Sequence, residues 1–310
     1  MRVDMLAAWR RAWPSLLVYL SLGFVVLWLE RSGNLVMPAI RAPGLLAASL
    51  ICLLGGFIAS AMGWTRLLAL SGYPVAPHVA LASVGLTIFA KYIPGKLWAL
   101  LGRAGYTAKL SGHPLAAISS LSVTAQLLAI WIGLLFGGLV FLAMPELGPA
   151  RLGLLALTAC TWMLLTALLL SDAVGRAFQW LGGRLRIRLP PLPRQHWRQL
   201  IDALPPFLLS WAAWMLGFSL FVGGLTGQPP VLAHGAAFAL AATLGILAVA
   251  VPGGLGVREG LLVLLLAALG VPAAAGAGVA LHGRIWFLAG EASIFMLGLM
   301  ARRRISASPC

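Results

Sequence analysis

Two apolar stretches of this chain are broken in the middle by a Pro-Gly pair, and each has an arm too short to cross a bilayer. In the first, residues 79–112, an arm from Val79 to Ala90 of about 12 residues runs into Lys91-Tyr92-Ile93-Pro94-Gly95-Lys96. A second arm, Leu97 to Leu110, follows and carries Arg103 and Lys109. In the second, residues 232–270, the break is Pro252-Gly253-Gly254-Leu255-Gly256, followed by Val257-Arg258-Glu259-Gly260 and a short arm from Leu261 to Leu269. A helix needs about 20 apolar residues to span hydrocarbon. Irregular backbone at membrane depth is tolerated only where it is buried in protein or lines a polar cavity. Both stretches therefore read as re-entrant helical hairpins, and each break marks an interior place.

The rest of the chain supplies full spans, predicted at about 14–29, 44–62, 115–143, 151–170, 206–224 and 276–299. Composition agrees: 61% of residues are hydrophobic and 9% charged, against roughly 25% charged in soluble domains. The expected fold is an all-α polytopic membrane protein, one membrane domain over 1–310, with about six spans and two re-entrant hairpins. The first apolar run ends in Leu29-Glu30-Arg31 without a small-x-small cleavage site, so it reads as a retained span. Cys52 and Cys160 lie in apolar runs and Cys310 is the last residue, so no disulfide or redox role is inferred. Neither His234 nor His282 has a second ligand at helical spacing, so no metal is expected. The Gly253-Gly254-x-Gly256 run sits inside a membrane segment and fails the strand-to-helix context of a nucleotide fingerprint; no cofactor is expected.

Net charge is +15. Nucleic acid is excluded as a partner because no soluble basic face exists to bind it. The charge instead fits the positive-inside rule and attraction to anionic headgroups. With the N-terminus in the cytoplasm and both hairpins returning to their side of origin, 17 basic residues fall inside and three, Arg31, Arg41 and Arg151, outside. Arg258 and Arg284 remain in the membrane. The segment 171–204, with six arginines and Leu189-Pro190-Pro191-Leu192-Pro193, reads as a cytoplasmic linker that includes an interfacial helix. Both termini are then cytoplasmic, in the inner membrane of a bacterium.

This topology repeats itself as span, span, hairpin, span over 14–143 and again over 151–299. Three crossings per half invert the second relative to the first. The breaks align as Ala90-Lys91-Tyr92-Ile93-Pro94-Gly95-Lys96-Leu97 with Ala248-Val249-Ala250-Val251-Pro252-Gly253-Gly254-Leu255. Inverted repeats with interrupted helices in matching positions point to a transport site at the repeat interface.

After each break a half-helix begins, and its free N–H groups and positive end favour an anion. Lys91, Lys96 and Arg103 form a set able to hold a phosphate, with Pro94 and Gly95 opening the backbone; snorkelling of the same cations to headgroups is the competing reading. Behind the second break, Pro252, Gly253 and Gly254 are followed by Arg258 and Glu259, which either meet substrate or pair structurally. Arg284 and Glu291 share a face of the last span, and each needs a partner elsewhere, Arg258 or Arg103 for Glu291. Ser119, Ser122 and Gln126 form a polar stripe that either lines a cavity or serves helix packing.

At Lys91-Tyr92-Ile93-Pro94-Gly95-Lys96-Leu97-Trp98, and at Pro252-Gly253-Gly254-Leu255-Gly256-Val257-Arg258-Glu259, the chain resembles the transmembrane domain of the lysylphosphatidylglycerol synthase/flippase family. The resemblance covers nearly the whole chain. It implies translocation of a lipid with an anionic phosphate headgroup: a phospholipid, an aminoacyl-phospholipid or a polyprenyl-phosphate-linked sugar. Because the chain ends soon after its last span, the synthase domain and its aminoacyl transfer are not expected. Expected partners are anionic membrane lipids, with a second copy of the chain or envelope-lipid biosynthesis enzymes also open. A non-transporting subunit, a lipid-modifying transferase and a transporter of a small soluble anion are the rival readings.

Overall fold

A computed structural model describes residues 40–92, 97–184, 196–248 and 256–307. The predicted span at 14–29 lies outside these residues, as do Pro94, Gly95, Lys96, Pro252, Gly253 and Gly254. The described residues form ten α-helices and no strand. They are α1 (Pro43–Leu70), α2 (Pro77–Thr87), α3 (Leu97–Ser111), α4 (Leu115–Gly138), α5 (Pro149–Leu170), α6 (Ala173–Arg184), α7 (Trp197–Thr226), α8 (Leu232–Leu247), α9 (Val257–Ala268) and α10 (Ala273–Ala307). A 3-10 turn, Ile88–Tyr92, prolongs α2. Another, Leu139–Ala143, prolongs α4.

Five of the helices are long and apolar enough to cross a membrane: α1, α4 with its 3-10 extension, α5, α7 and α10. The chain is thus an all-helical, multi-pass membrane protein. The arms that the sequence marks as short are short: α2 has 11 residues and α9 has 12, or roughly 17 and 18 Å at 1.5 Å per residue.

Three elements run beyond their predicted bounds. α1 continues eight residues past 62, to Leu70, and α10 extends to Ala307. α7 begins at Trp197, inside the predicted 171–204 linker, and passes straight through Pro205 and Pro206. A proline inside a helix removes an N–H and orphans a carbonyl one turn earlier. The carbonyl that Pro206 cannot serve is that of Asp202, and Arg66 Nε of α1 donates to it. A capping box at His196 and Gln199 secures the new start. The linker therefore reduces to α6 and residues 185–195, the latter outside the described residues.

α1 and α7 pack along their whole length. Gly224 meets Leu46, Gly217 meets Ser49 and Cys52, Gly56 meets Trp214 and Ser210, and Gly63 meets Phe207. Numbers rise on one helix as they fall on the other, so the pair is antiparallel. Small residues let the backbones approach, which is how helices gain contact where lipid removes the hydrophobic drive between them.

Around this pair the remaining contacts come in matched sets. α2 packs on α10, and α8 packs on α4. α1 touches α2, and α7 touches α8. α3 lies on α4, and α9 lies on α10. The closest approaches match too: Gly298 sits against Gly85, with a Cβ on Gly298 only 3.1 Å from the Gly85 Cα, and Gly133 sits against Thr243. α5 stands apart. Only 6% of its apolar window is buried, against 56% for α4 and α7, so it presents Leu152, Leu157, Met163 and Leu164 outward as a lipid-facing helix would.

Candidate intramembrane charge site

Glu291 lies near the middle of the 35-residue α10 and is fully buried. At 1.5 Å per residue it is roughly 25 Å along the axis from either helix end. A charge at that depth cannot reach headgroups, so it must be met by protein or ligand. Lys91 Nζ donates to Glu291 Oε1 at 2.6 Å and the Tyr92 hydroxyl donates to Oε2 at 2.7 Å. Both donors sit on the 3-10 turn Ile88–Tyr92, which tightens the chain just ahead of the first break. The pairing fixes the 3-10 turn Ile88–Tyr92 against α10. It gives Lys91 a buried carboxylate partner, and it corrects the expected partner of Glu291: Lys91, with Tyr92, takes the place assigned to Arg258 or Arg103.

Arg284 lies two turns earlier on α10. Its guanidinium stands over the Tyr92 ring at 5.0 Å, and Nη1 is 3.7 Å from Glu259 Oε1. Glu259 is in the first turn of α9. Its Oε2 accepts the Gly256 backbone N–H at 2.8 Å. Gly256 has φ +79, a left-handed conformation that glycine adopts without strain. The start of α9 therefore already holds a carboxylate from its own chain, where an incoming anion was expected to meet the helix end.

Arg258, beside Glu259, turns the other way. Its guanidinium lies 4.9 Å from the Phe238 ring of α8 and 4.7 Å from the Phe287 ring of α10. Lys91 Nζ stands 5.1 Å from the same Phe287 ring. Phe287 thus lies within cation–π reach of two cations, an arrangement favourable to each through the ring quadrupole.

Among the described residues the charges do not balance: Lys91, Arg258 and Arg284 face Glu259 and Glu291, an excess of one positive charge. Among the described residues no carboxylate is in ion-pair range of Arg258. Arg284 Nε and Nη2 are buried with no hydrogen-bond partner among the described residues. Arg258 and Arg284 are 7% and 6% exposed, too little for solvent to compensate. An uncompensated buried cation with free donors is costly unless an anion arrives to meet it.

Other predicted site residues are not brought here. Arg103 turns to α1 and α4, where its guanidinium lies 4.6 Å from the Trp64 ring and its Nη2 donates to the Ser122 hydroxyl at 2.9 Å. One phosphate cradled by Lys91 and Arg103 together is therefore not the arrangement observed. Ser119 is buried on α4 with Ser122, and Gln126 is partly buried one turn beyond it. Sequence reasoning missed Tyr92, Phe238 and Phe287. Tyr92 carried a signal, since it adjoins Lys91 in the break motif. The two phenylalanines carried none, being apolar residues in apolar helices.

A family model described as the lysylphosphatidylglycerol synthase TM region matches residues 13–289. That stretch includes both breaks, Arg258, Glu259 and Arg284, and stops just short of Glu291. No curated protein and no solved structure matches the chain.

Proposed function

Because this chain belongs to the lysylphosphatidylglycerol synthase transmembrane-region family, we propose that it is a lipid translocase of the bacterial inner membrane, moving a lipid with an anionic phosphate headgroup. Its work on this reading is transport and not aminoacyl transfer. The observation that carries the proposal is the excess positive charge at mid-membrane depth among the described residues, with two buried donors on Arg284 that none of these residues meets. A phosphodiester monoanion would neutralise that excess and accept from both arginines, bidentate geometry being the strength of guanidinium.

The halves 14–143 and 151–299 act as an inverted repeat around the antiparallel α1/α7 pair, and their matched packing supports this. The two hairpins re-enter from opposite sides, with the termini and the basic linker in the cytoplasm. The site sits where the 3-10 turn Ile88–Tyr92 and the start of α9 meet α10. Lys91–Glu291 and Glu259–Arg284 each tie one hairpin to that helix. A headgroup competing for Arg284 loosens the second tie, and so links occupancy to movement of the second hairpin.

Arg258→Gln and Arg284→Gln test the site. A charge-assisted hydrogen bond is worth about 1.5–3 kcal/mol, so each variant is expected to slow translocation of labelled phosphatidylglycerol in proteoliposomes by about tenfold or more. Rates equal to the unmodified protein, from correctly folded variants, would remove these arginines from the mechanism.

A further inference from the structure

The relation between the halves assigns a counterpart to every residue of the charge site, and the counterparts differ in a telling way. The break alignment sets Lys91 against Val249 and, six residues earlier, Gly85 against Thr243. The helix contacts set Gly298, which meets Gly85, against Gly133, which meets Thr243. Seven residues back along those two helices, Glu291 falls against Gln126, and eleven back, Phe287 falls against Ser122. The Lys91–Glu291 pair is therefore replaced in the other half by Val249 and Gln126, both neutral.

By the same alignment Arg258 falls against Leu100, and that half carries its cation about one helical turn later on the matching helix, at Arg103. Arg103 of α3 reaches Ser122 of α4, as Arg258 of α9 reaches Phe287 of α10. Arg103 Nε and Nη2 lie 3.2 and 2.9 Å from the Ser122 hydroxyl, and Nη2 also donates to the Ser122 carbonyl at 2.9 Å. The hydroxyl in turn donates to the Leu100 carbonyl at 3.0 Å. Trp64, under the guanidinium, is 3.4 Å from the Thr107 hydroxyl through its Nε1. Arg103 is held on one edge and one face, and no carboxylate is in ion-pair range among the described residues.

We infer that Arg103, with Ser122 and Trp64, forms a second phosphate-binding station, one per half of the protein, distinct from the Lys91–Glu291 site and lacking its carboxylates. This rests on the lipid-transport reading and extends it. The anion handed between halves meets a site locked by internal ion pairs on one side and, on the other, a hydrogen-bonded cation that has no carboxylate partner among the described residues. Such asymmetry makes the two resting affinities unequal, as a directional or regulated carrier requires.

The test counts bound phosphatidylglycerol by native mass spectrometry, against phosphatidylcholine and inorganic phosphate. The unmodified protein is expected to retain two phosphatidylglycerols in preference to phosphatidylcholine. Arg103→Gln should retain one. Gln126→Glu, which adds a carboxylate one helical turn beyond Ser122, should also retain one. Displacement of the second lipid by inorganic phosphate would show that the phosphate alone is recognised; resistance to displacement would show that the lipid headgroup is needed, and either supports the station. Two lipids on folded Arg103→Gln, or one on the unmodified protein, would overturn it. An Arg258→Gln/Arg284→Gln protein separates the two ideas. If it still holds two lipids while Arg103→Gln holds one, the locked site fails and the Arg103 station stands.

Discussion

Glu291→Leu is expected to destabilise the folded protein by about 3–5 kcal/mol, the cost of stripping one partner from a buried ion pair. The carboxylate has both oxygens engaged, one by Lys91 and one by Tyr92, and is fully buried. Its loss raises the local excess from one positive charge to two. Lys91→Met acts in the opposite direction on that balance. It brings the local charge to zero and leaves Tyr92 on Glu291, so its effect should be smaller. The double variant Lys91→Met/Glu291→Leu should recover most of the single Glu291 loss, because apolar replacement of a whole buried pair is often neutral. Thermal unfolding of the four proteins in one detergent closes this cycle. Additive losses in the double variant would mean that the two groups do not act as a pair.

The second large effect belongs to Gly85. A Cβ there would press on the backbone carbonyl of Ile294 and stand 3.0 Å from the Gly298 Cα, and backbone cannot step aside as a side chain can. Gly85→Ala is expected to cost about 1–3 kcal/mol by overpacking, and to separate α2 from α10 just where Lys91 must reach Glu291. Transport should fall with stability. Gly55→Ala on α1 is the control: among the described residues nothing lies within 4 Å of that Cβ, so relief of glycine's backbone entropy should leave stability unchanged or raised by about 0.5–1 kcal/mol. Equal unfolding temperatures for Gly85→Ala and the unmodified protein would show that the α2/α10 approach is not tight.

Much of the architecture was legible because lipid imposes a strong rule. Every spanning segment must satisfy its own backbone, so apolar length and Pro-Gly breaks expose spans and hairpin arms almost directly. The ends were less legible. Pro205 and Pro206 stop a helix by local rules, and only a side chain 136 residues distant, Arg66, provides the bond that lets α7 run through them. The site was legible as a set of charges and not as a geometry. Arg258, Glu259, Arg284 and Glu291 announce themselves because intramembrane charge is expensive. Which charge meets which is set by the α2/α10 contact, about 200 residues apart in sequence, and no local pattern encodes it. The same limit joined Arg103 to Lys91 on paper, since both flank one break, while packing sends them to different helices.

The most direct test of the account is translocation of fluorescent lipids by the purified protein in liposomes, comparing phosphatidylglycerol and a polyprenyl-phosphate-linked sugar with phosphatidylcholine. A site with one uncompensated buried positive charge should move at least one of the anionic lipids and leave the zwitterion behind, and Arg284→Gln should abolish the difference. Equal movement of all three, or anionic movement that survives Arg284→Gln, would contradict it.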